Sequence, residues 1–389
     1  MSWDSIIGQE RAKTILAGML GSGRVAHAYL FSGPDGAGQD PVAIEFARAL
    51  LCERGGNEAC GECRSCAKTR ELRHPNLALV FALPAGRNEK EGDGPLSKLS
   101  DAEIGMVREQ QRLKAENPYH TISVPRSNAI KINSVREIRK GASLAGFEPG
   151  RKVFIILEAE DLSENSANAL LKTLEEPPGE TVLLLTTSAQ DLLLPTLVSR
   201  CQQIRLAPLT VGQIAEALER RAGIPREDAL VIARLSNGSY GRALDRIHSD
   251  LPERRKEAID YLRAALLPSR EEIGRSIDGI THRYQKQEME EFLVLLEDWL
   301  RDAMVLKEGS APEGPPEERE SLRKFVGRYK AMDVASALAA VDRAVSLVGK
   351  NVYIPLVLLN LALELRESIV PPGPPELRTP FGERQVRSG

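Results

Sequence analysis

The sequence predicts an α/β fold of the phosphate-loop NTPase type, a parallel-sheet domain followed by domains that are almost wholly helical. Three observations carry this. A short apolar run at 28–31 leads into a glycine-rich turn, Gly33-Pro34-Asp35-Gly36-Ala37-Gly38, and then into helical spacing over 42–51. Two further apolar runs, 153–157 and 181–185, are continuous rather than alternating, as suits parallel strands covered on both faces. From Leu209 onward the periodicity is helical nearly throughout.

Taken in order, residues 2–20 form an amphipathic helical opening before the first strand. Between the second and third apolar runs, 163–176 carries Ala167, Leu170, Leu171 and Leu174 at i, i+3, i+4 and i+7, one helical face for the sheet. Pro177-Pro178 stops that helix. Residues 84–127 are polar and glycine-rich at first, with a helix over 101–116, and have the character of an insertion in a surface loop, which chain entropy tolerates. The expected organisation is therefore an α/β domain over 1–207, a small helical lid over 208–249 and a helical domain over 250–369. The lid has helices at 210–222, 226–235 and 241–248; the helical domain has longer ones at about 251–267, 283–307, 316–331, 333–349 and 352–368. The last residues, 370–389, hold Pro371-Pro372-Gly373-Pro374-Pro375 and are expected to be a disordered tail.

The chain has 389 residues and a net charge of −3, from 52 basic and 55 acidic side chains, so overall charge gives no polyelectrolyte drive toward DNA. The start lacks the basic and apolar regions of a signal peptide, and no apolar run reaches the ~18–20 residues of a membrane span. A cytoplasmic protein without membrane contact is expected.

A phosphate loop reads G-x-x-x-x-G-K-[ST], and residues 33–40 read G-P-D-G-A-G-Q-D. Gly33, Gly36 and Gly38 supply the frame. Gln39 replaces the lysine that neutralises the β/γ-phosphates, and Asp40 replaces the hydroxyl that ligates Mg²⁺. A carboxylate at the start of a helix competes with phosphate for the same amides. Two anions ~4 Å apart repel by about 4 kcal/mol at a surface-like dielectric. The expectation is a loop filled by its own Asp40. Active ATPases also end a neighbouring strand in Asp-Glu; here Leu157 takes the metal-ligand position and only Glu158 remains.

Four of the five cysteines, Cys52, Cys60, Cys63 and Cys66, have the spacing C-x7-C-x2-C-x2-C. In a reducing compartment such clustering favours metal over disulfides, and C-x2-C pairs fit tetrahedral Zn²⁺. Four thiolates leave no open position, so the expected zinc is structural. The interleaved Gly61, Glu62, Arg64 and Ser65 lack the aromatic groups of a nucleic-acid-reading knuckle.

In order along the chain stand Ile7-Gly8-Gln9, His27-Ala28, the loop at 33–40, the four cysteines, the A-N-A-L-L-K-T-L-E-E-P-P block at 167–178 and Ser199-Arg200-Cys201. With these the sequence resembles the AAA+ clamp-loader family of bacterial DNA polymerase III. The motifs cover roughly 2–248; beyond that the likeness is one of helical character. The resemblance implies an AAA+ domain, a helical lid and a collar that assembles a hetero-pentamer, which loads a sliding clamp onto primer-template DNA. It implies that Ser199 and Arg200 form a trans-acting motif, Arg200 being an arginine finger for the neighbour's ATP, while this chain does not hydrolyse ATP. Arginine suits that task because its guanidinium is permanently charged and bidentate. Arg242, in Gly238-Ser239-Tyr240-Gly241-Arg242, matches a second sensor, and Thr186-Thr187 the end of a first-sensor strand. Without a competent loop, Arg242 is expected to be a salt-bridging residue. Arg136, Arg139 and Lys140 are placed either to touch DNA phosphates or to form a solvated basic face. Two other functions stand beside this one: an ATP-hydrolysing subunit, against which Gln39, Asp40 and Leu157 count, and a stand-alone zinc-dependent DNA binder, against which the net charge counts.

Overall fold

The computed structural model describes residues 3–90, 92–144, 148–247, 251–310, 316–350 and 352–370. Its contacts divide the chain into two compact units, 1–247 and 248–389.

The first unit is built on a five-stranded sheet of β1 (Ala28–Ser32), β2 (Leu77–Val80), β3 (Lys152–Ile156), β4 (Thr181–Thr187) and β5 (Gln202–Arg205), in the order β2-β3-β4-β1-β5. Every pairing is parallel, with Ala28 opposite Leu183 and Phe154 opposite Leu183 from the other side. The central strands β1, β3 and β4 alternate their side chains between two separate cores. Tyr29, Phe31, Val153, Ile155, Val182 and Leu184 face α1 (Glu10–Ser22) and α2 (Gln39–Leu50). Leu30, Phe154, Ile156, Leu183 and Leu185 face the opposite layer, made by residues of α5 (Ile132–Ser143), α6 (Glu164–Glu175) and α7 (Pro195–Val198). Burial on both sides is why the strands read as unbroken apolar runs.

Two strands are added to the sequence expectation, both short edges of the sheet: β2, apolar but only half-buried, and β5, which is polar apart from Ile204. The opening helix is also shorter than expected. A single 3₁₀ turn at Trp3–Ser5 precedes it, and α1 begins only at Glu10 because Gly8 and Gln9 both take left-handed backbone. A short helix α3 (Arg64–Arg70) follows the cysteine-bearing loop.

The insertion at 84–127 is the largest correction. Its helix α4 (Asp101–Glu116) starts at a capping box, Ser100 with Glu103. It is not wholly a surface excursion: α4 is largely exposed, but Leu99, Val107 and Val124 join the same core as Phe31 and Phe46. Three helices complete this unit, α8 (Val211–Ala222), α9 (Arg226–Leu235) and α10 (Tyr240–Arg246), capped by Thr210 and Ser239 at the starts of α8 and α10.

The second unit holds α11 (Leu251–Leu266), α12 (Arg270–Arg283), α13 (Lys286–Lys307), α14 (Pro316–Arg328), α15 (Val334–Gly349) and α16 (Ile354–Ile369). Tyr261, Phe292, Leu296, Val341, Leu358 and Leu365 fill its interior, and the buried Tyr261 hydroxyl donates to the Leu358 carbonyl at 2.6 Å. The outer face of α16 leaves Tyr353, Leu356 and Leu363 exposed. The proline-rich tail expected at 370–389 falls, from residue 371, outside the described residues.

Candidate functional site

The glycine loop sits where β1 ends and α2 begins, beside the C-terminal ends of β3 and β4. That is the crevice in which open parallel sheets bind ligands. The frame needs its glycines. Gly36 has φ +70°, and a Cβ there would collide with the Ser239 side chain; a Cβ on Gly33 would stand 2.7 Å from the Leu206 carbonyl.

The chemistry inside the loop is not that of a phosphate site. Gln39 is buried, and its Nε2 donates to the carbonyls of Gly33 (2.6 Å) and Pro34 (2.9 Å). The side chain standing in for the lysine thus closes the loop on itself. Asp40 differs from expectation. Gly38 is the N-cap of α2 and no side chain caps this helix, so Asp40 does not fill the loop by taking its amides. Its carboxylate instead turns to Lys114 of α4, whose Nζ lies 2.5 Å from Oδ2 and also donates to the His120 carbonyl at 2.7 Å. The Lys114 side chain is 1% exposed.

Lys114 was not a candidate from sequence, and neither was Tyr119. The Tyr119 ring lies over Gly38, where a Cβ would approach it to 3.6 Å. Its hydroxyl accepts from the Ile7 amide at 2.8 Å, and its edge packs on Tyr240 at 5.0 Å between centroids. A signal existed for the lysine: Ile104, Val107, Gln111 and Lys114 follow at i, i+3, i+7 and i+10, so Lys114 shares the core-facing stripe of its helix.

Around this contact Glu158 is largely buried near Asp40, Glu160 and Asp161, and burial followed by those negative neighbours pushes its carboxyl up to about 7. Its backbone N–H donates to Thr186 Oγ1 at 3.2 Å, and Thr187 is buried beside it. Arg242 pairs with Asp35 of the loop at 2.9 Å, as a salt-bridging residue does. The cavity left among these groups is about 60 Å³. Ligand pockets usually measure ~300–1,000 Å³.

Cys52, Cys60, Cys63 and Cys66 come together, their sulfurs all within 4.8 Å of one another. Cys60 and Cys66 Sγ are 3.9 Å apart, close to the ~3.8 Å edge of a tetrahedron with 2.3 Å metal–sulfur bonds. Backbone amides of Cys60, Cys63 and Cys66 each donate to a cluster sulfur at 3.4 Å. Amides of Glu62 and Cys63 lower the Cys60 thiol to about 6, while burial pushes the Cys66 thiol up. The donor set fits a four-coordinate soft or borderline metal ion.

Arg200 follows α7 on a turn. Its guanidinium pairs with Glu175 Oε1 at the end of α6 (2.7 Å) and donates to the Thr196 carbonyl (2.9 Å), to which Ser199 Oγ also donates. Its side chain is 35% exposed. Cys201 is packed into the sheet's second core, and burial pushes its thiol up to about 12. Arg139 and Lys140 are exposed on α5, and Arg136 is half-buried.

A family model described as DNA polymerase III, delta subunit, matches residues 8–210. The chain is 28% identical over 251 residues to DNA polymerase III subunit delta' of Bacillus subtilis, covering 64% of this chain and 63% of that one. It is 32% identical over 250 residues to the delta' subunit of Pseudomonas aeruginosa, covering 63% of each. It is also 32% identical over 215 residues to subunit tau of Salmonella typhimurium, covering 55% of this chain and 27% of that one. The chain thus spans under two thirds of the length of each of these relatives. A solved gamma-subunit-related protein of Thermotoga maritima aligns with 92% of this chain and 98% of its own, at 16% identity and a TM-score of 0.36.

Proposed function

The chain belongs to the DNA polymerase III delta-subunit family, and on that premise we propose that it is a delta'-type, non-catalytic subunit of a clamp loader. In this role it assembles with other loader subunits, as a hetero-pentamer, to place a sliding clamp on primer-template DNA in the cytoplasm. It has no ATPase of its own and supplies Arg200 to the ATP held by a neighbouring subunit. Among the described residues no helix is long and apolar enough to cross a membrane.

The observation that carries this proposal is the contrast between two places. In the loop, Gln39 bonds to the carbonyls around it and Asp40 is committed to Lys114, so the positions that would hold phosphate and Mg²⁺ serve the fold instead. At Ser199-Arg200, by contrast, the guanidinium is half-exposed and held by a surface ion pair. Surface pairs of this kind cost only about 0–1 kcal/mol to break, so Arg200 is available to a γ-phosphate brought against it. The cysteine cluster is a structural zinc staple for a segment too short to make its own core. The exposed apolar face of α16 supports the collar role, since single-chain units seldom leave such a stripe on one helix.

The test is Arg200→Ala in the reconstituted loader. An arginine finger is worth ~10³–10⁵ in rate, so ATP turnover falls by at least about 10-fold while the native mass of the assembly is unchanged. Unchanged turnover removes the proposed role of Arg200.

A further inference from the structure

We propose that residues 114–120 of the insertion are a built-in occupant of the nucleotide crevice. They hold sheet and helical group in one conformation that does not depend on ATP. This deepens the non-catalytic reading and rests on it for what the crevice once held.

The segment makes the contacts a nucleotide would be expected to make, with its charge reversed. A functional loop carries a lysine and receives an anion. This loop carries Asp40 and receives a cation, Lys114 Nζ, at 2.5 Å. A flat aromatic ring also lies in the crevice: Tyr119, covered from one side by the loop at Gly38 and from another by Tyr240. Its hydroxyl takes up the Ile7 amide, and burial pushes that hydroxyl's pKa up to about 12, so it stays a neutral partner. With these groups in place only about 60 Å³ of cavity is left.

The same residues join parts that nucleotide would join. Tyr119 touches the N-terminal segment through Ile7, the loop through Gly38 and the helical group through Tyr240. The Arg221 guanidinium of α8 stands 6.0 Å from the Tyr119 ring centre and 5.9 Å from that of Tyr240. Direct contacts complete the fastening: the Tyr240 amide donates to the Gly36 carbonyl at 3.3 Å, and Arg242 binds Asp35. A permanent internal ligand stabilises the closed arrangement at every ATP concentration, because it has no dissociated state to exchange with.

Two measurements on the full chain test this. In the first, Gln39→Lys with Asp40→Thr restores the loop, and binding of ATP with Mg²⁺ is titrated calorimetrically to about 1 mM, the upper end of ordinary substrate affinities. The restored chain is expected not to bind while Lys114 and Tyr119 remain. Adding Lys114→Ala and Tyr119→Ala is expected to yield measurable binding. Binding by the loop-restored chain with the insertion untouched overturns the proposal. In the second, amide hydrogen exchange is followed in Tyr119→Ala alone. Exchange at residues 7–9, 36–42 and 240–243 is expected to rise by about 10-fold or more, with β3 and β4 unaffected. Unchanged exchange at all three places overturns the proposal, whatever the titration gives. Neither result bears on Arg200, so the finger and the occupant can fail separately.

Discussion

Replacing Lys114 with methionine isolates the ion pair at the crevice from the packing around it. Methionine keeps an unbranched stem of similar volume, so little apolar contact is lost. What disappears is the ammonium, which serves both Asp40 and the His120 carbonyl from a side chain 1% exposed. Removing one member of a buried pair costs about 3–5 kcal/mol. The Asp40 side chain is 23% exposed, and water recovers part of its charge, leaving a loss of about 2–4 kcal/mol. For a unit of this size each kcal/mol is worth ~2–4 °C, so the transition of the α/β unit should fall by roughly 5–15 °C. The chain has 2 tryptophans, Trp3 in the first unit and Trp299 in the second. Fluorescence in a Trp299→Phe background therefore follows the first unit by itself through a urea titration. Adding Asp40→Asn should recover at least half the loss, since the orphaned charge is then gone. A loss under about 1 kcal/mol, or a double variant as unstable as the two singles summed, would refute the assignment of a buried, coupled pair.

Glu158→Gln should stabilise the first unit in alkaline but not in acidic solution. The native carboxyl is raised from 4.5 to about 7, so the native state holds a proton that the unfolded state releases between those values, and wild-type stability drops as pH rises through that window. Equilibrium melts of the two proteins should therefore coincide near pH 4.5 and differ by about 2–4 kcal/mol at pH 8, glutamine being the more stable. Chelation or Cys63→Ser should remove about one zinc per chain, measured by atomic emission, and lower the melting temperature of the first unit only. Retention of the metal by Cys63→Ser would remove that residue from the ligand set.

The parts of this fold legible in the sequence are those whose signal is local. β1, β3 and β4 announce themselves because central parallel strands are buried on both faces. Helix α4 begins at a Ser-x-x-Glu pair that marks a start without any tertiary context. The edge strand β5 was hidden because an edge needs no continuous apolar run, and α12 because its 14 residues bury little beyond Ile277 and Ile280; β2 has such a run, Leu77-Ala78-Leu79-Val80, and was legible though unread. At the candidate site, the three missing ATPase groups could be read from spacing, whereas what replaced them could not. Asp40 and Lys114 lie 74 residues apart, and no pattern in either segment names the other. Polar composition made the insertion look like a surface excursion, while Leu99, Val107 and Val124 were too few to mark it as part of the core.

If the chain is the non-catalytic subunit proposed above, the pairing of Asp40 with Lys114 also bears on history, since it would make a loss of ATP chemistry hard to reverse by single steps. Gln39→Lys alone would bring a second ammonium toward Lys114. Asp40→Thr alone would strand a lysine that is 1% exposed, and loss of Lys114 would leave Asp40 beside the largely buried Glu158 carboxyl with no cation between them. Each of these first moves at the loop is thus downhill in stability, and the benefit would arrive only when several changes coincide. On that proposal, a lineage in this state would be held behind an epistatic ratchet: its subunit could drift in many directions, but regaining turnover through the loop is not one that selection would reach a residue at a time.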